Sequence, residues 1–491
     1  MAIVELPTQI SPYDVKEFVS EVVYPEFTRV KHELDRIRLW VEGRQPYYLA
    51  LPQMSSEKRG LQELARTPWL GLAVNTMAQC LFVDGYRAEG AIDNSSGPWR
   101  TWNANKFRSR QIGIHRAALT YGYSYARALP GTALDGSNQA VLRAFSPRRA
   151  LCLYEDPTVD DYPLYALEVL PNNRGVRFYD SNVYYELPFP YEDANPKSSV
   201  TPVEHGVGQV PWVRYVNQID LDGYCMGEVE YLVNPASKID KTDFDLILAQ
   251  HYNSWKVRWA TGIDDLDSNE DGFTPEEAER AKMILKQDDM LVHGNANAKF
   301  GTLDETDLTG LIAAHDSNVE SFAANAQLPA YAFGHLSNLS ADTLAAANWS
   351  MTQKLYERQM TFSDAHNQLM RLACHIEGDA AGAADFTASV SWQDTSVRSL
   401  AAAVDALGKA ASQLGVPKQA LWSKIPGVTQ SEVEAWMGHW KDDGVPKELR
   451  YWTAANGPGF SPDGEFLGKP KVPPAAPGGV PGNDPVAKAA A

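Results

Sequence analysis

The sequence has few cysteines, and their spacing gives them no common chemistry. Four are present among 491 residues, at Cys80, Cys152, Cys225 and Cys374, and no two form a C-x-x-C pair. Such separation disfavours a disulfide framework or a zinc site and favours reduced, mostly buried thiols. No apolar run approaches the roughly 18 residues that cross a membrane, so no membrane partner is expected. The first residues lack the basic start and apolar core of a secretory signal.

Motifs typical of enzymes are also missing. The sequence contains no G-x-x-x-x-G-K-[ST] loop, no G-x-G-x-x-G opening a helix after a strand, no H-E-x-x-H and no G-x-S-x-G. Its ten histidines are scattered, and single histidines are more often structural or exposed than ligands. We therefore predict no catalytic residues, no cofactor and no enzymatic activity.

Acidic residues are abundant and unevenly distributed. The net charge is −18, and residues 261–310 contain thirteen Asp and Glu against four Lys and Arg, a net charge of −9. This balance disfavours a protein that wraps nucleic acid with a basic surface, but it permits a surface past which DNA moves without adhering. An ordinary solvated face is the alternative. The residues singled out in this acidic segment are Asp264, Asp265, Asp267, Glu270 and Asp271.

Half of a calcium-binding loop is recognisable in the same segment. Oxygen ligands stand at the first, third and fifth positions of an EF-hand pattern, which are Asp267, Asn269 and Asp271. The twelfth position, however, is Ala278 instead of the required Glu, and Pro275 interrupts the pattern. The sequence favours a solvated turn that caps the next helix. A metal-dependent hydrolase that uses these carboxylates is a minor alternative, because few carboxylates cluster on rigid strands elsewhere.

Hydrophobic periodicity predicts an α+β protein. Residues between 122 and 217 show the β-branched and aromatic enrichment of short strands. Helices are predicted at 14–43 with a break near Pro25, 68–81, 99–118, 235–260, 307–326, 396–414 and 430–441. The Pro, Gly and Ala composition of residues 457–491 predicts a disordered tail.

The longest predicted element is a helix over residues 341–377, about 55 Å at 1.5 Å per residue. Ser340 is placed as its N-cap, and Gly378 stands where a helix-ending glycine belongs. A helix of this length needs neighbours along most of its surface, either from its own chain or from other subunits.

Five stretches, in this order and spacing, resemble the portal proteins of tailed bacteriophages, in particular the Gp6-like group common in phages of actinobacteria. They are WNANKFRSRQIGIHRAALTYGYSYARA (102–128), HGVGQVPWVRYVNQ (205–218), SWKVRWATGI (254–263), LSADTLAAANWSMTQKLYERQMTFSDAHNQLMRLA (339–373) and SWQDTSVRSLAAAVDALGKAASQLGVP (391–417).

The resemblance implies a subunit ring, typically of twelve copies, at one capsid vertex of the virion. Double-stranded DNA would pass through its channel during packaging and ejection. The implied partners are the terminase large subunit, which would hydrolyse ATP, a head–tail adaptor, and the major capsid and scaffolding proteins. Assembly would occur in the host cytoplasm. Another virion protein without a channel is the alternative.

The resemblance also implies a division of the chain. Its parts would be a wing (1–230), a stem helix (231–260), a small α/β clip (261–306), a second stem helix (307–326), a tunnel loop (327–340), a long wing and crown helix (341–377) and a C-terminal wing and crown region (378–456). The acidic clip would repel phosphate. Because the tunnel loop lacks Lys and Arg, its DNA contacts would come from Gln327, Tyr331, His335, Ser337 and Asn338. A turn packed between subunits is the alternative for this loop.

Overall fold

A computed structural model of the chain describes residues 6–7, 9–46, 55–89, 91, 93–188, 199–218, 220–253, 258–261, 299–302, 307–334, 348–393, 400–425 and 427–443. The chain divides into two compact units, residues 1–397 and residues 398–491.

The described helices of the first unit, in chain order, are α1 (Val15–Phe18), α2 (Tyr24–Val41), α3 (Ser56–Leu64), α4 (Trp69–Ala78), α5 (Ser96–Ala104), α6 (Phe107–Tyr121), α7 (Val233–Asn253), α8 (Thr309–Ala326), α9 (Trp349–Glu377) and α10 (Ala380–Ala383). The strands are β1 (Val83–Arg87), β2 (Tyr123–Thr132), β3 (Asn138–Phe145), β4 (Ala150–Leu153), β5 (Tyr165–Val169), β6 (Val176–Tyr179), β7 (Val183–Leu187), β8 (Pro202–Glu204), β9 (Trp212–Val216), β10 (Arg258–Thr261), β11 (Lys299–Thr302) and β12 (Ser389–Trp392). This mixture confirms the predicted α+β class.

An antiparallel sheet in the order β3-β2-β9 forms the middle layer of the first unit. Alternate residues of its central strand β2 point to opposite faces, as the twofold period of a strand requires. Ala126 and Ala128 face the main core, to which α6 and α9 contribute Ile114, Phe362 and Leu369. On the other face, Tyr125 packs toward the second sheet.

The second sheet is antiparallel in the order β4-β5-β6-β7-β8. Its outer face is covered by the N-terminal helical segment, whose fully buried valines recur every four residues, at Val15, Val19 and Val23. The predicted break near Pro25 is a change of helical type and not an interruption. Residues Val19–Val23 form a π-helical turn, and Pro25 stands just after it in the first turn of α2.

Two predicted helices differ from the structure. The helix expected over 99–118 is two helices, α5 and α6, because Lys106 takes a left-handed conformation with φ 53° between them. The helix expected over 235–260 ends at Asn253. The following β10 pairs antiparallel with β11, which lies about forty residues further along the chain, and this pairing replaces the last predicted helical turn.

The longest described helix is α9, with 29 residues, or about 44 Å at 1.5 Å per residue. It ends as predicted at Gly378, whose φ of 84° is left-handed. The predicted start at Ser340 and residues 341–347 lie outside the described residues. In the second unit the described helices are α11 (Leu400–Gln413), α12 (Lys418–Trp422) and α13 (Gln430–Asp443). The predicted tail, 457–491, lies outside the described residues.

Candidate functional site

The two helices predicted as stem, α7 and α8, pack antiparallel. Asn318 Nδ2 donates to Thr242 Oγ1 at 2.9 Å, and His315 Nε2 lies 3.3 Å from a carboxylate oxygen of Asp243. The Lys354 ammonium donates both to Tyr231 Oη, two residues before α7, and to the Ala326 carbonyl in the last turn of α8. The start of one helix therefore lies beside the end of the other, as antiparallel packing requires.

A buried carboxyl attaches α7 to the N-terminal helices. Asp240 is 5% exposed and accepts hydrogen bonds from Gln45 Nε2 at 2.6 Å and from the Thr67 backbone N–H at 3.3 Å. Burial raises the pKa of Asp240 to about 6, although both hydrogen bonds act to lower it. The two donors join α7 to the segments that follow α2 and precede α4.

The C-terminal end of α8 begins the segment predicted as tunnel loop. Gln327 takes a left-handed conformation with φ 55°, and the N–H of Leu328 bonds back to the carbonyl of Ala323 at 3.0 Å. A 3₁₀ turn over Ala330–Phe333 follows. Trp69 then contacts both Phe322 of α8 and Phe333 of this turn, each at 6.4 Å between ring centroids. The start of the loop is therefore held in the aromatic core.

The two flanks of this segment are joined by a hydrogen bond. Tyr331 Oη donates to Asn348 Oδ1 at 2.7 Å, and Asn348 immediately precedes α9. Of the five predicted loop residues, the structure thus describes Gln327 at the helix end and Tyr331 in this bond. His335, Ser337 and Asn338 lie outside the described residues.

Glu228, Lys354 and Arg358 form a buried ionic cluster, each 3–5% exposed. The Lys354 ammonium pairs with the Glu228 carboxylate and donates to the Ala326 carbonyl at 2.9 Å and to Tyr231 Oη at 3.2 Å. The Ala326 carbonyl belongs to the last turn of α8, so a side chain from α9 caps that helix.

The Glu228 carboxylate is satisfied on both oxygens. One accepts from Lys354 and from Tyr231 Oη at 2.6 Å, and the other accepts from Arg358 Nε at 3.0 Å and Asn217 Nδ2 at 3.2 Å. Burial acts to raise the pKa of Glu228, but the two cations and the hydrogen bonds outweigh it and lower that pKa. Burial lowers the pKa of Lys354, although the Glu228 carboxylate acts to raise it. The cluster connects α9 with α8 and with the segment that precedes α7.

A second buried polar chain connects α6 with α9. His115 Nε2 and His366 Nε2 are 2.8 Å apart, His366 Nδ1 is 2.9 Å from Tyr215 Oη, and His115 Nδ1 is 3.1 Å from the Leu81 carbonyl. All three contacts are hydrogen bonds when both rings are neutral. Tyr215 Oη then donates to His366 Nδ1, His366 Nε2–H donates to His115 Nε2, and His115 Nδ1–H donates to the Leu81 carbonyl. Burial lowers the pKa of His115 to about 4 and lowers that of His366 well below its ordinary value.

Neither buried chain was foreseen from the sequence. Their members are far apart along the chain, as with His115 and His366, and each residue type alone is common. The single available signal is a pair of cations one helical turn apart, Lys354 and Arg358, on the face that also carries Met351, Leu355 and Phe362.

The acidic candidates Asp264, Asp265, Asp267, Glu270 and Asp271 lie outside the described residues, as does Asn269 of the half calcium loop. Within the described ranges, no group of three His, Cys, Asp or Glu side chains is arranged to hold a metal ion. No described helix combines the length and the apolar character that crossing a membrane requires.

The model of the family described as "Phage portal protein, SPP1 Gp6-like" matches residues 23–443. The chain belongs to this family. It is a phage portal protein, and this confirms the resemblance predicted from its sequence. As such it is a component of the virion, from a family whose members are structural.

Two other comparisons complete the picture of this portal protein. No curated protein matched it. Among solved structures, one similar chain comes from "Virion of native gene transfer agent (GTA) particle", with 12% sequence identity and a TM-score of 0.44. That likeness covers 76% of this chain and 95% of the other. The family assignment depends on the match over residues 23–443 and not on this likeness.

Proposed function

We propose that this portal protein closes into a ring, of twelve subunits by resemblance, at one capsid vertex, and that double-stranded DNA enters and leaves through its channel. The family match over residues 23–443 carries the proposal. Residues 261–306 would dock the terminase large subunit and later the head–tail adaptor, while the ring contacts the major capsid and scaffolding proteins. ATP hydrolysis would belong to the terminase, and assembly would take place in the host cytoplasm.

In this proposal the segment 327–340 faces the DNA. The contacts at its two flanks support that role, because Tyr331 is bonded to Asn348, and Lys354 to the Ala326 carbonyl, so two hydrogen bonds join the flanks. Polar residues without Lys or Arg would touch the duplex without the deep electrostatic minima that phosphate neutralisation creates.

The native mass of the purified chain, measured together with negative-stain images, tests the ring. A closed ring with a central hole is expected. A 54.2 kDa monomer, both alone and when co-expressed with the capsid and scaffolding proteins, would contradict it. For the channel, particles assembled with chains altered at Leu328 and Pro329 should contain less DNA, whereas their ring mass should not change.

A further inference from the structure

The basic residues of this acidic chain are concentrated in one part of it. Residues 94–153 contain nine Lys and Arg and one acidic residue, Asp135, a net charge of +8. Because the whole chain carries −18, everything outside this segment carries −26. Of the nine cations, Arg127 is buried against Glu168. The others lie at or near the surface, so one region of the first unit differs in charge from the rest.

Four of these cations flank the edge strand β3, and we call them the basic patch: Lys106, Arg108, Arg110 and Arg143. All four are exposed. Arg110 Nη1 donates to the Leu142 carbonyl of β3 at 2.9 Å, which places the start of α6 beside this edge. Among the described residues, none of the four forms an ion pair. Their charge is therefore available to a partner.

The backbone of this edge is already occupied by side chains. Asn105 donates to the Ala140 carbonyl at 2.8 Å and accepts from the Leu142 N–H at 2.9 Å, as a neighbouring strand would. The carboxylate of Glu377, itself bonded to Thr101, accepts from the Ala140 N–H at 2.9 Å. A partner therefore cannot add a strand to β3. It must bind through side chains.

An oppositely charged surface lies beside the other edge strand, β9. Residues 154–164 and 217–231 contain no Lys or Arg and eight acidic residues, of which Glu228 is buried in the ionic cluster described above. Arg214 of β9 holds the first of these loops, donating to the Pro157 carbonyl at 2.5 Å with its guanidinium 4.4 Å from the Tyr154 ring centroid. The acidic patch comprises Glu155, Asp160, Asp161, Asp220 and Asp222, none of which forms an ion pair within the described part of the chain.

Exposed apolar side chains lie on or beside the strands and loops that carry both patches. Leu134, at the tip of the β2–β3 hairpin, is fully exposed, and Val141 of β3 is partly so. Beside the acidic patch, Val159 is 75% exposed and Leu221 98%. A phosphate backbone offers nothing to such side chains, whereas a protein surface does. The apolar content thus favours a protein as the partner of the basic patch.

We propose that the basic patch of one subunit binds the acidic patch of the next copy of this chain. The two patches border β3 and β9, which flank β2 on opposite sides of one sheet. A closed ring requires such a heterologous contact, in which two different surfaces of each subunit meet. This inference rests on the proposed ring and names the surfaces that close it.

Charge reversal and its compensation test the contact in the full-length chain. Arg108→Glu/Arg143→Glu and, separately, Asp161→Lys/Asp222→Lys should each reduce the ring to the 54.2 kDa monomer at 0.15 M salt. The four changes combined make the altered side chains of the two patches opposite in sign again and should recover the ring. Arg36→Glu/Arg174→Glu, which alters the net charge equally at exposed sites elsewhere, is the matched control and should keep the ring. Circular dichroism melting verifies that each variant is folded.

The outcomes separate this inference from the ring itself. If the unaltered chain and both reversal variants form rings, the contact is overturned and the ring stands. If folded reversal variants are monomers but the combined variant is not restored, pairing of these two patches is overturned. If reversal of the basic patch abolishes DNA binding in a gel shift and leaves the ring mass unchanged, the patch belongs to nucleic acid and the inference fails. If the unaltered chain never forms a ring, both proposals fall.

Discussion

Lys354 Nζ lies 2.9 Å from the carbonyl oxygen of Ala326, 28 residues earlier in the chain. The ammonium therefore caps the C-terminal end of α8 from the second turn of α9, and the segment between the two helices begins and ends at one buried point. Glu228 pairs with the ammonium and ties this point to the segment that precedes α7. These contacts of Lys354 hold the base of the loop that we place in the DNA channel.

Replacing Lys354 should destabilise the protein strongly. Lys354→Met keeps the apolar stem but leaves the buried Glu228 with one cation, and removal of one partner of a buried ion pair typically costs about 3–5 kcal/mol. The free energy of urea unfolding measures the effect.

Lys409→Met is the control, because Lys409 pairs with Asp405 at an exposed site and should change stability by less than about 1 kcal/mol. The double variant Lys354→Met/Glu228→Gln should be less destabilised than the sum of its single changes. Full additivity would show that the two groups do not act as a pair.

Removing the Tyr331 hydroxyl should affect packaging more than folding. Tyr331→Phe deletes a single hydrogen bond to Asn348, worth about 1 kcal/mol, and loosens the base of the loop. Particles assembled with this variant should contain less DNA at unchanged ring mass, as measured by the DNA-to-protein ratio of purified particles. Tyr13→Phe, at a side chain 62% exposed, is the control. Wild-type DNA content in both Tyr331→Phe and Asn348→Ala particles would count against the tunnel-loop assignment.

Features set by local sequence were predictable, and those set by distant pairing were not. Gly378 ends α9 as expected because a left-handed residue after a helix is a local demand that glycine meets. Lys106 takes the same conformation without glycine, so the break between α5 and α6 left no signal. The strand β10 was predicted as helix because its pairing with Lys299–Thr302 is not encoded in its own residues.

The same distinction applies to the candidate site. Tyr331 was singled out from its place in the loop, but its bond to Asn348 depends on how the chain returns to α9. The ion pair of Glu228 with Lys354 joins residues more than a hundred positions apart in the chain. Composition cannot reveal which buried charged residues form a pair. The family resemblance supplied the function, whereas the contacts that support the loop required the structure.

The protected edge of β3 leads to a prediction about aggregation. Asn105→Ala would leave the Ala140 carbonyl and the Leu142 N–H without their partner. Each unsatisfied buried group costs about 1–3 kcal/mol, and an open edge invites pairing with another chain. We expect a lower unfolding midpoint and faster growth of light scattering at 37 °C. Asn103→Ala, at an exposed position on α5, should do neither. A variant at Asn105 that matches the wild type in both measurements would refute the protective role.

The histidine chain predicts a loss of stability in acid. In the unfolded chain a histidine binds its proton near pH 6.5, whereas burial lowers the pKa of His115 to about 4 in the folded protein. Between these values the unfolded state binds more protons, so stability falls as pH decreases. At pH 5 the loss from His115 is about 2 kcal/mol, and His366 contributes in the same direction.

Asp240 acts oppositely and must be separated from the histidines. Its pKa is raised to about 6, so the folded state binds the extra proton below that pH and gains stability. The measurement is therefore the urea unfolding free energy from pH 7.5 to 4.5 in Asp240→Asn chains, with and without His115→Gln/His366→Gln. The slope should be steep with both histidines present and shallow without them, while His439→Gln, at an exposed site, should leave it unchanged. Equal slopes with and without the pair would show that the histidines are not the groups that take up protons on unfolding.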